Sequence, residues 1–291
     1  MEFLAIFSRK LLSVFVVFYN LIVSWILRIF AEKFGMAKSI FITGGASGIG
    51  AAAVRRFASE GWRVTFMDIH PKEAKALINE IEGPEPVCFF EGSTRKRSDL
   101  DAALELAADD MGGVDAIFAN AGIHRKNTVI DISADELDEL IQTNIIGTVN
   151  TLQAAIPFLA NAADGASVVI NASDQCFIGK GGNFGYGLTK GALGQLTRSA
   201  AIDLAHLGIR VNAVCPSTID TPLVERVFST VAARHEGKTV EKLRRDEDAL
   251  FLRGRMGTAD EVASMVYFLA SSESSFCTGG LYPVDGGLTA T

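Results

Sequence analysis

The chain has 291 residues, of which 48% are hydrophobic and 21% charged, and this composition excludes a disordered or low-complexity protein. Its 28 glycines and seven prolines are typical of a folded domain with many tight turns. A formal net charge of −7 leaves no basic excess that could neutralise a phosphate backbone, so we expect no nucleic-acid partner. The composition favours an ordinary globular enzyme.

The cysteines and histidines show no pattern of a metal site or of a disulfide framework. The cysteines are far apart, form no C-x-x-C pair and lie mostly in apolar stretches: Cys88, Cys176, Cys215 and Cys277. This pattern predicts reduced thiols in a reducing compartment. No two of the four histidines have the i, i+4 spacing of a zinc site, so no metal is expected.

An apolar segment occupies the first 35 residues. Residues 11–30 are apolar at all but four positions. Twenty helical residues span about 30 Å, the thickness of a bilayer's hydrocarbon core. No small-residue cleavage site follows, so the segment is expected to be an uncleaved N-terminal apolar helix that anchors a cytoplasmic domain to a membrane or lies on it. Because Met36 begins what looks like a complete domain, a dispensable extension is the alternative.

Strands and helices alternate through the rest of the chain. Short runs rich in β-branched and aromatic residues predict buried strands at 38–43, 62–68, 86–91, 114–119, 166–172, 209–215 and 280–284. Helical segments lie between them, at 50–59, 98–111, 134–160, 186–206 and 259–270. The alternation predicts a single α/β domain over residues 36–291, a Rossmann-type doubly wound parallel sheet of about seven strands.

A long insertion follows the sixth predicted strand. Residues 217–255 carry runs of charged side chains and no predicted strand. Because insertions at the carboxyl end of a strand often cover ligands in α/β folds, this segment is expected to form a lid.

A glycine-rich turn joins the first strand to the first helix. Gly44, Gly48 and Gly50 allow a tight turn and a close approach of the backbone to a pyrophosphate. The following helix N-terminus offers free N–H groups and a partial positive charge. The turn therefore predicts a dinucleotide site.

Asp68 ends the second predicted strand, about twenty residues after the turn. A carboxylate at this place accepts hydrogen bonds from both ribose hydroxyls and repels a 2′-phosphate. No cation stands at positions 45, 46, 47 or 69 to receive that phosphate. NAD is therefore expected rather than NADP.

Tyr186 and Lys190 stand four residues apart at the start of a predicted helix and share one face of it. A free phenol has a pKa of about 10, so a tyrosine that acts as a base at neutral pH needs its anion stabilised by roughly 4 kcal/mol. A neighbouring ammonium, together with a positive nicotinamide ring, has the right charge to contribute this. The pair is a candidate proton-transfer unit.

Further motifs agree with this reading: T-G-x-x-x-G-x-G from Thr43 to Gly50, N-A-G from Asn120 to Gly122, Asn144 in the next helix, Ser173 after the fifth strand and Y-x-x-x-K from Tyr186 to Lys190. With this combination the chain resembles the short-chain dehydrogenase/reductase family, in its common single-domain branch, from Ala37 to the C-terminus. The resemblance implies a seven-stranded Rossmann sheet and a homotetramer or a homodimer.

The resemblance also implies a role for each catalytic residue. Tyr186 is the expected general acid and base on the substrate oxygen, and Ser173 the expected hydrogen-bond donor to it. Lys190 is expected to bind the nicotinamide ribose and to lower the pKa of the tyrosine. Asn144 is expected to anchor a water that relays protons from the lysine. The cofactor contacts implied are Gly44, Ser47, Gly48, Ile49, Gly50, Asp68, Ser93, Thr94, Asn120, Ala121, Gly122, Tyr186, Lys190, Pro216, Ile219 and Thr221.

Two positions depart from the family pattern. Ser217 replaces the glycine that usually follows the proline of the sixth strand, and serine is strained there by on the order of 1 kcal/mol if the position needs a positive φ. Ser93 and Thr94 stand where the family presents Asp-Val near the adenine, so the contact there loses a charge.

The sequence thus predicts an NAD-dependent oxidoreductase that interconverts a secondary alcohol and a ketone of a small molecule. An NADPH-dependent 3-oxoacyl reductase is an alternative that Asp68 disfavours. A catalytically silent dinucleotide-binding protein is another, which the presence of Ser173, Tyr186 and Lys190 disfavours. The pocket walls are expected at Gln175, Cys176, Phe177, 179–185 and 224–251. Sugars, cyclic alcohols and hydroxy acids all remain open as substrates.

Overall fold

A seven-stranded parallel sheet forms the centre of the protein. The computed structural model describes residues 37–160, 162, 165–234 and 237–290. The strands of the sheet are β1 (Ser39–Thr43), β2 (Arg63–Asp68), β3 (Val87–Glu91), β4 (Ala116–Ala119), β5 (Ala166–Asn171), β6 (Ile209–Pro216) and β9 (Leu281–Val284). Their order across the sheet is β3-β2-β1-β4-β5-β6-β9, and every neighbouring pair is parallel.

Helices connect the strands and cover both faces of the sheet. They are α1 (Gly48–Ser59), α2 (Pro71–Glu80), α3 (Arg97–Met111), α4 (Ala134–Leu140), α5 (Gly147–Leu159), α6 (Phe184–Leu204), α7 (Pro222–Arg234), α8 (Val240–Asp248) and α9 (Ala259–Ala270). A π-helical segment, Ile141–Ile146, lies between α4 and α5. The Rossmann-type sheet expected from the sequence is therefore confirmed.

The strands are apolar on both faces because each face packs against a helical layer. In β1, Phe41 packs with α3, α5 and α6, while Ile40 and Ile42 pack with α1, α2 and α9. All three side chains are fully buried. Alternate residues of one strand thus contribute to two separate hydrophobic cores, which is why the strands show no polar alternation.

The observed elements differ from the predicted ones in a few places. The single helix expected over 134–160 is interrupted by the π-helical segment. Helix α2, which begins with a proline, was not among the helices predicted from the sequence. The insertion after β6 was expected to hold no strand, but the two-residue strands β7 (Ile219–Asp220) and β8 (Gly257–Thr258) pair in parallel across its ends. The insertion otherwise forms α7 and α8.

The N-terminal apolar segment lies outside the described residues, so the predicted helix at 11–30 stays a prediction. Within the described part of the chain, no helix is long and apolar enough to cross a membrane.

The strand order reverses between β1 and β4, the neighbours from which the chain runs outwards in opposite directions. In open α/β sheets, ligands bind in the crevice at the carboxyl ends of the strands beside such a reversal. The topology therefore places a ligand site beside Thr43 and Ala119, the last residues of these two strands.

Candidate active site

The glycine turn forms one end of the site. Gly44 and Gly48 have φ values of 67° and 54°, in the left-handed region that favours glycine. The Gly44 N–H donates to the carbonyl of Met67 over 2.8 Å, which ties the turn to β2. A Cβ on Gly50 would lie 2.0 Å from the Gly44 carbonyl oxygen, so only glycine lets α1 begin this close to the turn.

Asn120 joins the two strands at the reversal point. Its Nδ2 group donates to the carbonyls of Thr43 and Gly44 over 3.0 and 2.9 Å. Its Oδ1 atom accepts a hydrogen bond of 2.8 Å from Asn171 at the end of β5. The asparagine of the N-A-G motif therefore holds three strand ends in register around the crevice.

Asp68 lies at the carboxyl end of β2 with 8% of its surface exposed. Its Oδ2 atom accepts from the Ala46 N–H over 2.9 Å, and its Oδ1 atom accepts from the His70 N–H over 3.1 Å. Each carboxylate oxygen has a further lone pair, so the group can still accept hydrogen bonds from a diol. The backbone bonds hold the carboxylate beside the glycine turn.

Tyr186, Ser173 and Lys190 converge at the other end of the crevice. The Ser173 side chain lies close enough to the Tyr186 phenol to lower its pKa. The Lys190 ammonium lies 5.6 Å from the centre of the Tyr186 ring and donates to the Asn171 carbonyl over 2.6 Å. Tyr186 and Lys190 project from the first turns of α6, and Ser173 follows β5, so helix and sheet bring the three together.

Burial dominates the protonation of this group. It raises the pKa of Tyr186 above that of a free phenol, Asp174 raises it further, and the nearby Ser173 side chain opposes both. Burial lowers the pKa of Lys190 to about 8, against the opposing influence of Cys176 and Cys215. These residues by themselves therefore keep the phenol protonated at neutral pH.

Asn144 is buried behind the site, in the π-helical segment. Its Oδ1 atom accepts from the Ile123 N–H over 2.8 Å, and its Nδ2 group donates to the Ile123 carbonyl and to Thr189 Oγ1, each over 3.0 Å. The side chain thus connects the loop after β4 to α6. Both of its N–H donors are used within the protein.

A continuous cavity of about 1320 Å³ connects the two ends of the crevice. This exceeds the roughly 300–1,000 Å³ of a pocket for one drug-sized ligand. Every residue expected in the cofactor site lines it except Gly50, which packs behind the turn, and Ser173 lines it as well. Asn144 does not. The glycine turn and the buried Asp68 carboxylate therefore fit a dinucleotide, and the cavity leaves room for a substrate beside it.

Two of the residues expected in the pocket walls do not line the cavity. Gln175 lines the cavity, but Cys176 and Phe177 do not. The Cys176 thiol donates to the Lys190 carbonyl over 3.1 Å and packs on α6, and Phe177 is largely exposed. The chain turns through a short 3-10 helix directly after Ser173, so successive side chains point in different directions around it.

Ser217 does not have the strained, positive φ that was considered from the sequence. Among the described residues, no residue other than glycine has a positive φ. The Ser217 hydroxyl instead accepts a hydrogen bond of 3.2 Å from Lys180.

The sequence did not predict two side chains near Tyr186, His124 and Asp174. The His124 ring contacts the Tyr186 ring edge-on, with 4.6 Å between centres, and its Nε2 atom is 2.7 Å from Asn183 Oδ1. Burial lowers the pKa of His124 to about 4, so the ring is neutral. Asp174 is buried next to Ser173 and pairs with Lys180 over 2.7 Å. The only local signal was the position of His124 just after N-A-G and of Asp174 just after Ser173.

The insertion after β6 covers the cavity as a lid. Residues of α7 and α8 line it, among them Val224, Val227, Phe228, Leu243 and Glu247. Arg244 of α8 pairs with Asp220 over 3.0 Å and with Glu225 over 2.6 Å, and Thr218 donates to Glu247. These contacts hold α8 against β7 and α7, as expected for a lid.

The sheet is of the Rossmann type and has the glycine turn at its reversal point, while a tyrosine, a serine and a lysine meet at the far end of the crevice. This combination defines a nicotinamide-dinucleotide oxidoreductase. Comparisons with known proteins agree. A family model described as enoyl-(acyl carrier protein) reductase matches residues 44–289. The short-chain dehydrogenase reductase ATA1 of Arabidopsis thaliana is 33% identical over 264 residues, covering 89% of this chain and 95% of the relative.

Two further relatives cover almost the same region. The 3-oxoacyl-[acyl-carrier-protein] reductase FabG of Thermotoga maritima is 34% identical, covering 86% of this chain and 97% of the relative. The ligand-free aldohexose dehydrogenase of Thermoplasma acidophilum superposes with a TM-score of 0.78 at 32% identity, covering 88% of this chain and 95% of that one. The chain therefore belongs to the short-chain dehydrogenase/reductase family.

Proposed function

We propose that this protein is an NAD-dependent dehydrogenase that interconverts a secondary alcohol and the corresponding ketone of a small molecule. The observation that carries the proposal is the meeting of the Tyr186 phenol, Ser173 and Lys190 at one end of a cavity whose other end is formed by the glycine turn and Asp68.

The protein's own residues handle the proton. Tyr186 takes the proton of the substrate hydroxyl in oxidation and returns it in reduction, while Ser173 donates a hydrogen bond to the same oxygen. A bound nicotinamide dinucleotide accepts or supplies the hydride and, when oxidised, adds a positive charge. Lys190 is proposed to bind the nicotinamide ribose, and its ammonium favours the phenolate.

Asn144 is proposed to support a proton relay from Lys190. Because both N–H donors of its side chain are used by Ile123 and Thr189, a relaying water has to donate to an oxygen acceptor there. The remaining lone pair of Asn144 Oδ1 is such an acceptor.

Asp68 supports NAD over NADP. Its carboxylate is held beside the turn by Ala46 and His70, at the place where the adenine ribose is proposed to bind. A 2′-phosphate there would meet a nearly buried negative charge.

A 3-oxoacyl reductase that uses NADPH is the second candidate. It is favoured by the similarity to a 3-oxoacyl-[acyl-carrier-protein] reductase and by the description of the matching family model. Asp68 argues against it, because that enzyme needs a site for the 2′-phosphate.

The test is a substrate screen on the purified protein, with NAD⁺ and NADP⁺ in parallel and a panel of sugars, cyclic alcohols, hydroxy acids and 3-hydroxyacyl thioesters. We expect NADH absorbance to rise with at least one secondary alcohol, and Tyr186→Phe to lose more than about 100-fold in turnover while still binding NADH. Turnover of 3-hydroxyacyl thioesters alone with NADP⁺ supports the second candidate. Measurable NADH binding without any turnover contradicts both.

A further inference from the structure

A buried carboxylate directly follows the expected catalytic serine. Asp174 is only 1% exposed and lies at the start of the short 3-10 turn after β5. Its Oδ1 atom accepts a hydrogen bond of 2.9 Å from the Ser173 hydroxyl. Its main-chain carbonyl accepts from the N–H groups of Phe177 and Ile178 over 2.8 and 3.2 Å, which holds the carboxylate in place.

Lys180 neutralises this carboxylate from the cavity side. Its ammonium lies 2.7 Å from Asp174 Oδ2 and donates to Ser217 Oγ over 3.2 Å. The Lys180 side chain is 22% exposed and lines the cavity. The ion pair therefore connects Ser173 to the loop after β6.

The Ser173 hydroxyl has a single proton to donate. In the structure this proton is directed to Asp174, while the Gln175 N–H donates to Ser173 Oγ over 3.2 Å. In the reaction the same proton is needed by the substrate oxygen, and a Tyr186 phenolate accepts it as well. Asp174 and the reacting oxygens therefore compete for one hydrogen bond.

We propose that Asp174 is a positioning residue that holds the Ser173 proton until the reacting oxygens take it, and that Lys180 sets how strongly it is held. This inference rests on the proposed function, in which Ser173 donates to the substrate oxygen. Removing the charge of Asp174 frees the serine proton for the phenolate, and removing the charge of Lys180 strengthens the hold of Asp174 on it.

Electrostatics acts in the same direction as the hydrogen bond. After burial, Asp174 is the largest influence that raises the pKa of Tyr186. The titratable groups near Tyr186 come from α6, from the segment after β5 and from the loop after β4: Lys190, Asp174, Cys176 and His124. Lys180 is joined to this group through its ion pair with Asp174. His124 has a pKa of about 4 and stays neutral above pH 6, and Lys190 is present in every variant compared. The pKa of the Cys176 thiol is lowered to about 7, within the measured range, so Cys176 is removed from the test.

The test compares Asp174→Asn and Lys180→Met with the wild type, all three in the full chain carrying Cys176→Ala. Glu80→Gln, which removes the partner of Arg55 on the opposite face of the sheet from α6, is the matched control for loss of one carboxylate. Two quantities are measured: the pH dependence of kcat/KM for alcohol oxidation, and the tyrosinate absorbance of the NAD⁺-saturated protein against its Tyr186→Phe counterpart.

We expect the Tyr186 midpoint to move down by about one pH unit in Asp174→Asn and up in Lys180→Met, because each change alters one nearby charge of opposite sign. Glu80→Gln is expected to leave it unchanged. An unmoved midpoint in either variant, or shifts in the same direction, overturns the inference.

Two further outcomes remain informative. If Asp174→Asn does not fold, Lys180→Met decides the matter by itself, since its side chain is partly exposed and Asp174 stays in place. If the wild type oxidises no alcohol, the proposed function fails, while the tyrosinate titration, repeated in a Ser173→Ala background, still decides whether Asp174 and Lys180 act on Tyr186 through Ser173.

Discussion

Asp68 is the buried side chain on which the proposed preference for NAD rests. Its two backbone hydrogen bonds keep the carboxylate beside the glycine turn whether or not a ribose is bound. Asp68→Ala is therefore expected to weaken NAD binding and to improve NADP binding, changing the ratio of kcat/KM for the two cofactors by about 10-fold or more. Steady-state kinetics with both cofactors measures this ratio. An unchanged ratio would remove Asp68 from the ribose site.

Lys190 is a buried amine whose lowered pKa affects the stability of the folded protein. Its folded pKa of about 8 is below the ordinary 10.5, so between these pH values the unfolded chain binds more protons at this group than the folded one. The Lys190 contribution to the free energy of unfolding therefore rises with pH across this window, by at most on the order of 3 kcal/mol.

Lys190→Met is the variant that tests this. It should lack that rise and, near pH 8, unfold at a urea concentration no lower than the wild type, while losing most of its turnover. Urea unfolding of both proteins at pH 8 and at pH 10.5 measures the difference. Parallel pH dependences in the two proteins would contradict a buried ammonium at this position.

At the scale of an element, the first turn of α1 depends on the absence of a side chain. A Cβ on Gly50 would lie 2.0 Å from the Gly44 carbonyl and 2.7 Å from Asn120 Nδ2. Gly50→Ala is expected to displace the turn, to destabilise the protein by about 1–3 kcal/mol or more and to abolish dinucleotide binding. Gly179→Ala is the control, because nothing lies within 4 Å of its added Cβ.

Thermal unfolding and titration with NADH measure the two effects of Gly50→Ala. Wild-type NADH affinity in this variant would show that α1 need not begin so close to Gly44.

The helical pattern predicted the course of the chain less accurately than the sequence motifs did. The long apolar pattern over 134–160 predicts one helix, yet a π-helical segment interrupts it where the Asn144 side chain reaches back to the loop after β4. A tertiary hydrogen bond of this kind has no local sequence signal. The tight strand-to-helix turn at Gly44 to Gly50, by contrast, was predictable because its glycines act on their own backbone.

At the scale of the whole molecule, the apolar segment at 11–30 and the oligomeric state remain predictions. We expect the full-length protein to sediment with membranes after washing at alkaline pH and a protein that begins at Met36 to stay in the supernatant. Quantitative blotting of both fractions measures this, with the NADH affinity of both proteins as a control for correct folding. Recovery of both proteins in the supernatant would favour the dispensable extension.

The sheet, the glycine turn, Asp68 and the Tyr186–Lys190 pair were predictable from the sequence, because strand burial, backbone freedom and i, i+4 spacing are local properties. The side chains that surround the phenol were not predictable, because their positions depend on how distant segments pack. His124 lies in the loop after β4, while Asp174 and its partner Lys180 lie in the segment after β5, and both segments meet Tyr186 only when they pack beside α6. Local patterns therefore indicate the candidate reacting groups, while packing determines the charge and hydrogen bonding around them.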